Sequence, residues 1–94
     1  MNDDVVRARA VVQGRVQMVG FRDYVLRHAG ALGLHGTVRN EPDGSLECVV
    51  EGPQQQVETL VEMLAKGPSH ARVDRVDVEY TAPAGNLPRM SVTA

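Results

Sequence analysis

Hydrophobic residues follow two different periods in the first third of the chain. Over residues 5–13 the apolar side chains occupy alternate positions, the pattern of a half-buried β-strand. Over residues 21–32 they recur every three or four positions, which predicts an amphipathic helix that is capped by Gly33. The intervening residues 14–20 are bounded by two glycines and break both patterns, so they are predicted to form a loop.

The middle of the chain predicts a hairpin followed by a second helix. Residues 41–44 read Glu-Pro-Asp-Gly, a turn sequence, and alternating stretches over residues 35–40 and 45–51 flank it as strands. The next apolar stripe has helical spacing. This predicts a helix with Pro53 at its first position, which stops before Gly67.

Alternation returns near the C-terminus. Residues 73–80 alternate with Tyr80 on the inward face, and residues 89–93 predict a short extra edge strand. The resulting order, βαββαβ, is the ferredoxin-like plan of the α+β class: a sandwich in which an antiparallel sheet carries both helices on one face. The whole chain, residues 1–94, is expected to be one such domain. This fold hosts many functions, so function must be argued from individual residues.

Composition excludes several classes of function. No stretch approaches the ~20 apolar residues of a membrane span, and the acidic N-terminus lacks the features of a signal peptide; a cytoplasmic protein with no membrane partner is expected. A net charge of −2, with one Phe and two Tyr, argues against a nucleic-acid partner. The single cysteine, Cys48, has the strand position of a core residue, and the histidines lack metal-ligand spacing, so no metal site is expected. A monomer is the default expectation.

Arg22 is an unusual residue for its position. It lies in the first turn of the first predicted helix, where unpaired N–H groups and the helix dipole attract anions and a cation costs about 0.3–1 kcal/mol. A bound anion would satisfy both the N–H groups and the guanidinium, which suits bidentate contact with a phosphate. The other interpretation is an ordinary surface arginine.

Asn40 is the second unusual residue. It shares strand parity with Gly36 and Val38, so its amide lies at the inward end of a strand and needs a hydrogen-bond partner. Two interpretations remain open at this point: the amide bonds the backbone of turn 41–44, or it points at water or a substrate.

Two sequence motifs resemble the signatures of one family. Residues 14–17 and 19–22, GRVQ and VGFR, resemble the signature loop of the acylphosphatases. Residues 36–40 and 43–47, GTVRN and DGSLE, resemble their second signature. The match extends over nearly the whole chain, in order and at family spacing.

This resemblance implies an enzyme that hydrolyses the carboxyl–phosphate bond of a small-molecule acyl phosphate without metal or other cofactor. It implies that Arg22 binds the phosphate and that Asn40 positions the attacking water. The phosphate would also be cradled by the backbone N–H groups of the loop residues Arg15, Val16, Gln17, Met18, Val19 and Gly20. The sequence has no evident catalytic histidine or pair of catalytic carboxylates, and this reaction does not need them. A carboxylate is a good leaving group, and phosphoryl transfer depends mainly on positioning and charge stabilisation.

Met18 departs from the family pattern, which usually has glycine at this position. If the position requires a positive φ, Met18 stores about 1–2 kcal/mol of strain. The alternative function is therefore a module of the same fold that binds acyl or carbamoyl phosphate with little or no turnover.

Overall fold

The computed structural model describes residues 4–93, which form a five-stranded sheet and two helices. The ferredoxin-like α+β class predicted from the sequence is confirmed. Neither described helix is long and apolar enough to cross a membrane. In chain order the elements are β1 (Val5–Arg15), α1 (Phe21–Ala31), β2 (His35–Asn40), β3 (Leu46–Pro53), α2 (Gln54–Lys66), β4 (Arg72–Thr81) and β5 (Ser91–Val92).

The strand order is β4-β1-β3-β2-β5. The three pairings among β1 to β4 are antiparallel, as predicted, and β5 is the short C-terminal edge strand. However, β5 pairs parallel with β2, Thr37 lying opposite Ser91, so the prediction of a wholly antiparallel sheet is wrong at this edge. The chain arrives there by the loop after β4, whose Pro88 carbonyl accepts a hydrogen bond from Gly36 N–H at 2.8 Å.

The core lies between the sheet and the helices, because the strands and helices each bury one face. Alternate residues of the central strands β1 and β3 are buried, as are helix residues at spacings of three and four. Burial of each large aliphatic or aromatic side chain in this set contributes about 1.5–3 kcal/mol, and burial of each alanine contributes less. The main contributors are Ala8, Ala10, Val12, Phe21, Val25, Leu46, Cys48, Val50, Val57, Leu60 and Leu64.

β1 continues two residues beyond the predicted strand, and this extension determines where the next loop begins. A bulge between Gln13 and Gly14 shifts the register against β4. Gly14 has φ 133°, and a Cβ atom there would lie 2.1 Å from the Arg72 carbonyl oxygen, so the close approach of the two strands requires glycine. After this extension the chain enters α1 through loop 16–20, which is two residues shorter than the predicted loop 14–20.

Two helix boundaries and one side chain differ from expectation. α1 ends at Ala31, and Gly33 caps it after Leu32 in the left-handed conformation, with Gly33 N–H bonded to Gly30 O. Pro53 is not the first residue of α2 but the last of β3, because its extended ψ of 141° keeps it outside the helix. Tyr80 has inward parity opposite buried Ala8 but is 49% exposed, because β4 is an edge strand.

Candidate functional site

The loop between β1 and α1 is anchored in the core by two valines. Val16 is buried and Val19 packs against the core, whereas the Met18 side chain projects into solvent. Met18 has φ 64° and Gly20 has φ 79°, so position 18 adopts the positive φ on which the strain of Met18 depends. Left-handed residues within a loop are a feature of the backbone nests that bind anions through N–H groups.

The start of α1 has the properties of an anion site. Gly20 is the N-cap and supplies no side chain to pair the first N–H groups of the helix. Arg22 is exposed, and its neighbour Asp23 instead pairs with Arg27, one helical turn later, at 3.2 Å. No carboxylate among residues 4–93 forms an ion pair with Arg22, so its guanidinium is available to a ligand beside the positive end of the helix dipole.

Asn40, the last residue of β2, carries a buried polar atom without a partner. Its Oδ1 is buried and accepts no hydrogen bond from any residue in the described part of the chain. The adjacent turn is closed without it, because Asp43 accepts hydrogen bonds from Ser45 N–H at 2.9 Å and Ser45 O–H at 2.6 Å. These bonds hold the pKa of Asp43 below its ordinary value. An unsatisfied buried acceptor costs about 1–3 kcal/mol, so Oδ1 is poised to accept a bond from outside the chain.

One pocket brings together the loop, the start of α1 and the end of β2. Its volume is about 180 Å³, below the ~300–1,000 Å³ typical of sites that enclose a drug-sized molecule. It therefore suits a small group such as phosphate. The lining residues are Val16, Met18, Gly20, Phe21, Arg22, Asp23 and Asn40.

Three of the predicted loop residues do not line this pocket. Arg15 is exposed at the end of β1, opposite Arg72, and Val19 packs against the core. Gln17 turns its side chain towards the β2–β3 hairpin. A larger concavity of about 680 Å³ lies between α1 and α2, beside Tyr24 and Met63, and none of the predicted site residues lines it.

Gln17 connects the loop to the hairpin that carries Asn40. Its side-chain N–H donates to the carbonyl oxygens of Glu41 at 2.8 Å and Ser45 at 2.9 Å. This contact was not predicted, because nothing in the local sequence relates Gln17 to acceptors 24 and 28 residues away. The amide fixes the loop immediately beside Asn40.

Cys48 lies in the core, as its strand parity predicted. Burial, together with the charge of neighbouring Glu47, raises the pKa of its thiol to about 12, so the thiol is protonated and inert. Within residues 4–93, no three His, Cys, Asp or Glu side chains are grouped so that they could hold a metal ion.

Comparisons with known proteins identify chains that are similar to this one. A model of the family described as Acylphosphatase matches residues 8–90. An acylphosphatase of Caldivirga maquilingensis is 55% identical over 75 residues, 79% of this chain and 79% of that protein. An acylphosphatase of Thermococcus kodakarensis is 50% identical over 80 residues, 85% of this chain and 88% of that protein. The crystal structure of acylphosphatase from Bacillus subtilis has a TM-score of 0.91 at 32% identity and covers 95% of this chain and 99% of that one. These matches bear out the resemblance of the two motifs, and the chain belongs to the acylphosphatase family.

Proposed function

We propose that this chain carries out the reaction of its family, the hydrolysis of an acyl phosphate to a carboxylate and inorganic phosphate, without metal or other cofactor. The observation that carries the proposal is the pocket shared by Arg22, the loop and Asn40. It offers a free guanidinium for the phosphate and a free acceptor for a water molecule.

The phosphate end of the substrate binds at the start of α1. Arg22 donates to the phosphate oxygens, and the loop residues that line the pocket, Val16, Met18 and Gly20, add their backbone N–H groups. Each hydrogen bond to a charged group contributes about 1.5–3 kcal/mol. These donors are in place before the reaction, so they also stabilise the charge on the equatorial oxygens in the transition state.

Asn40 orients the nucleophile. Its Oδ1 accepts a hydrogen bond from the attacking water, which holds the water oxygen towards phosphorus. The new bond forms between the water oxygen and phosphorus, and the bond from phosphorus to the carboxyl oxygen breaks. The carboxylate leaves with that electron pair, and the water proton passes to a phosphate oxygen. A carboxylate needs little protonation to leave, so no general acid is required at this step.

The alternative of a binding module without turnover is not favoured. The curated relatives that match this chain at 44–55% identity are acylphosphatases, and the pocket retains both Arg22 and Asn40. We further propose that residues 1–94 act as a single monomeric domain in the cytoplasm, on a small-molecule substrate and without a nucleic-acid partner. The low aromatic content and the net charge of −2 support the absence of a nucleic-acid partner.

The proposal is tested by hydrolysis of benzoyl phosphate in the presence of EDTA. We expect metal-independent turnover that falls at least about 100-fold in Arg22→Ala and Asn40→Ala, the scale seen when one donor to a developing charge is removed. Arg27→Ala is the matched control, because it removes an exposed arginine from the same helix whose partner is Asp23. Turnover equal to the uncatalysed rate in the folded wild-type protein would refute the proposal.

A further inference from the structure

Met18 is the most exposed large hydrophobic residue in the described structure. Its side chain is 99% exposed, although it belongs to a loop that is otherwise anchored in the core and in the hairpin. It is also the only non-glycine residue with a positive φ within residues 4–93. An L-residue is strained in this conformation because Cβ crowds the following carbonyl oxygen.

Within residues 4–93 this side chain has almost no contact with the rest of the protein. Met18 belongs neither to the core nor to the partly buried residues that pack against it. Glycine would accept the same backbone conformation without strain. Residues held in sparsely populated conformations are concentrated at functional sites, and Met18 lines the pocket of Arg22 and Asn40.

The size of the pocket indicates what Met18 can contact. A volume of about 180 Å³ suits the phosphate, so the acyl group must extend beyond the mouth of the pocket. Met18 lies at this mouth with its thioether directed into solvent. Methionine is flexible and polarisable, adapts to irregular apolar surfaces and makes favourable contacts with aromatic rings.

We propose that Met18 is a specificity-determining residue that covers the acyl group and favours substrates with an apolar, preferably aromatic, acyl group over acetyl-sized ones. This inference rests on the proposed function, since it assumes that the phosphate occupies the pocket. It identifies the substrate class that the site prefers.

The expected gain in kcat/KM follows from the apolar area that Met18 and the acyl group bury against each other. A ring lying against one side of Met18 removes on the order of 50 Å² of apolar surface from water, and at roughly 25 cal/mol per Å² this corresponds to about eightfold in kcat/KM. Acetyl phosphate carries a single methyl group and gains much less. The measured quantity is therefore the ratio of kcat/KM for benzoyl phosphate to kcat/KM for acetyl phosphate.

Three variants of Met18 distinguish the effect of the side chain on the ratio from the effect of backbone strain. Met18→Gln keeps the length and the backbone strain but is polar, Met18→Leu keeps the apolar character, and Met18→Gly removes both the side chain and the strain. We expect the ratio to fall about fivefold to tenfold in Met18→Gln and Met18→Gly and to stay within about twofold of wild type in Met18→Leu. Hydrolysis of acetyl phosphate should fall less than hydrolysis of benzoyl phosphate in Met18→Gln.

The outcomes distinguish this inference from the proposed function. An unchanged ratio in Met18→Gln, or an equal loss for both substrates, would overturn the role of Met18 while leaving the enzyme intact. Absence of turnover in the wild-type protein would instead refute the proposed function. In that case, the binding constants of benzoylphosphonate and acetylphosphonate, which cannot be hydrolysed, give the same ratio at equilibrium, and equal effects of Met18→Gln on both would overturn the inference.

Discussion

Replacing Gln17 by methionine removes the two hydrogen bonds that tie the phosphate loop to the β2–β3 hairpin, while keeping a side chain of similar length. Gln17 donates to the carbonyls of Glu41 and Ser45, and Glu41 directly follows Asn40 in the sequence. The tether therefore couples the loop to the residue that is proposed to orient the water.

The loss of unfolding free energy in Gln17→Met depends on whether the Glu41 and Ser45 carbonyls keep another hydrogen-bond donor. The Glu41 carbonyl also accepts from Gly44 N–H at 3.1 Å, and the Ser45 carbonyl from Glu41 N–H at 2.8 Å, so neither becomes an unsatisfied buried group in Gln17→Met. The loss is thus limited to two ordinary hydrogen bonds of about 0.5–1.5 kcal/mol each, or about 1–3 kcal/mol in total. A domain with a free energy of unfolding of about 5–15 kcal/mol stays folded after this loss.

Urea unfolding and steady-state hydrolysis of benzoyl phosphate measure the two consequences. We expect the free energy of unfolding to fall by about 1–3 kcal/mol and kcat/KM to fall at least tenfold, because a small displacement of a positioning group is costly in catalysis. Gln54→Met is the matched control. Gln54 is exposed at the start of α2, and within the described structure its side chain bonds only Glu58. Replacing this side chain should change stability by less than about 0.5 kcal/mol and leave activity unchanged.

The kinetic result decides whether the tether matters for function. If Gln17→Met loses the expected stability but keeps wild-type kcat/KM, the loop reaches its active position without the tether. The coupling of loop and hairpin would then be structural only, and Gln17 would have no part in positioning the substrate.

Three further predictions concern stability and reactivity. Met18→Gly should raise the free energy of unfolding by about 1 kcal/mol in urea titrations, because about 1–2 kcal/mol of strain relief exceeds the 0.5–1 kcal/mol of added unfolded-chain entropy; a decrease would contradict the strain. Glu51 accepts hydrogen bonds from Ala84 N–H and Gly85 N–H and pairs with Arg7, the Ala84 bond being the main cause of its lowered pKa. Its stabilisation should be complete above its unfolded pKa of about 4.3 and be lost as the pH falls through its lower folded pKa, so urea unfolding at neutral and acidic pH should show a smaller pH dependence in Glu51→Gln than in wild type. Cys48, whose pKa is about 12, should react with an aromatic disulfide reagent only at the rate of unfolding, and rapid reaction of the native protein would contradict its burial.

The hydrophobic pattern was sufficient to predict the helices and strands, because each of them buries a single face. Helical spacing after Phe21 and alternation after Val5 both reflect contact with one core, so local periodicity carries the information. The direction of β5 was not predictable in the same way, because it depends on the path of the loop after β4. Tyr80 has the expected parity, but its exposure depends on β4 being an edge strand, a property of the whole sheet.

The candidate site was only partly predictable. Position in a helix or strand made Arg22 and Asn40 unusual, and the resemblance to a family suggested their roles, but only the structure brings them to one pocket. For Asn40 the turn-bonding interpretation is wrong, because Asp43 and Ser45 close the turn and Oδ1 has no partner within residues 4–93. The Gln17 tether could not be predicted, because its partners are distant in sequence and are backbone atoms, which carry no sequence signal.

Inhibition by inorganic phosphate, measured together with kcat for benzoyl phosphate, tests most directly the claim that Arg22 and Asn40 have separate tasks. We expect Arg22→Ala to weaken phosphate inhibition at least tenfold, through the loss of a charged hydrogen bond worth about 1.5–3 kcal/mol. We expect Asn40→Ala to lower kcat by about 100-fold or more with phosphate inhibition within twofold of wild type. Equal weakening of phosphate inhibition in both variants, or wild-type kcat in Asn40→Ala, would contradict the division between binding the phosphate and orienting the water.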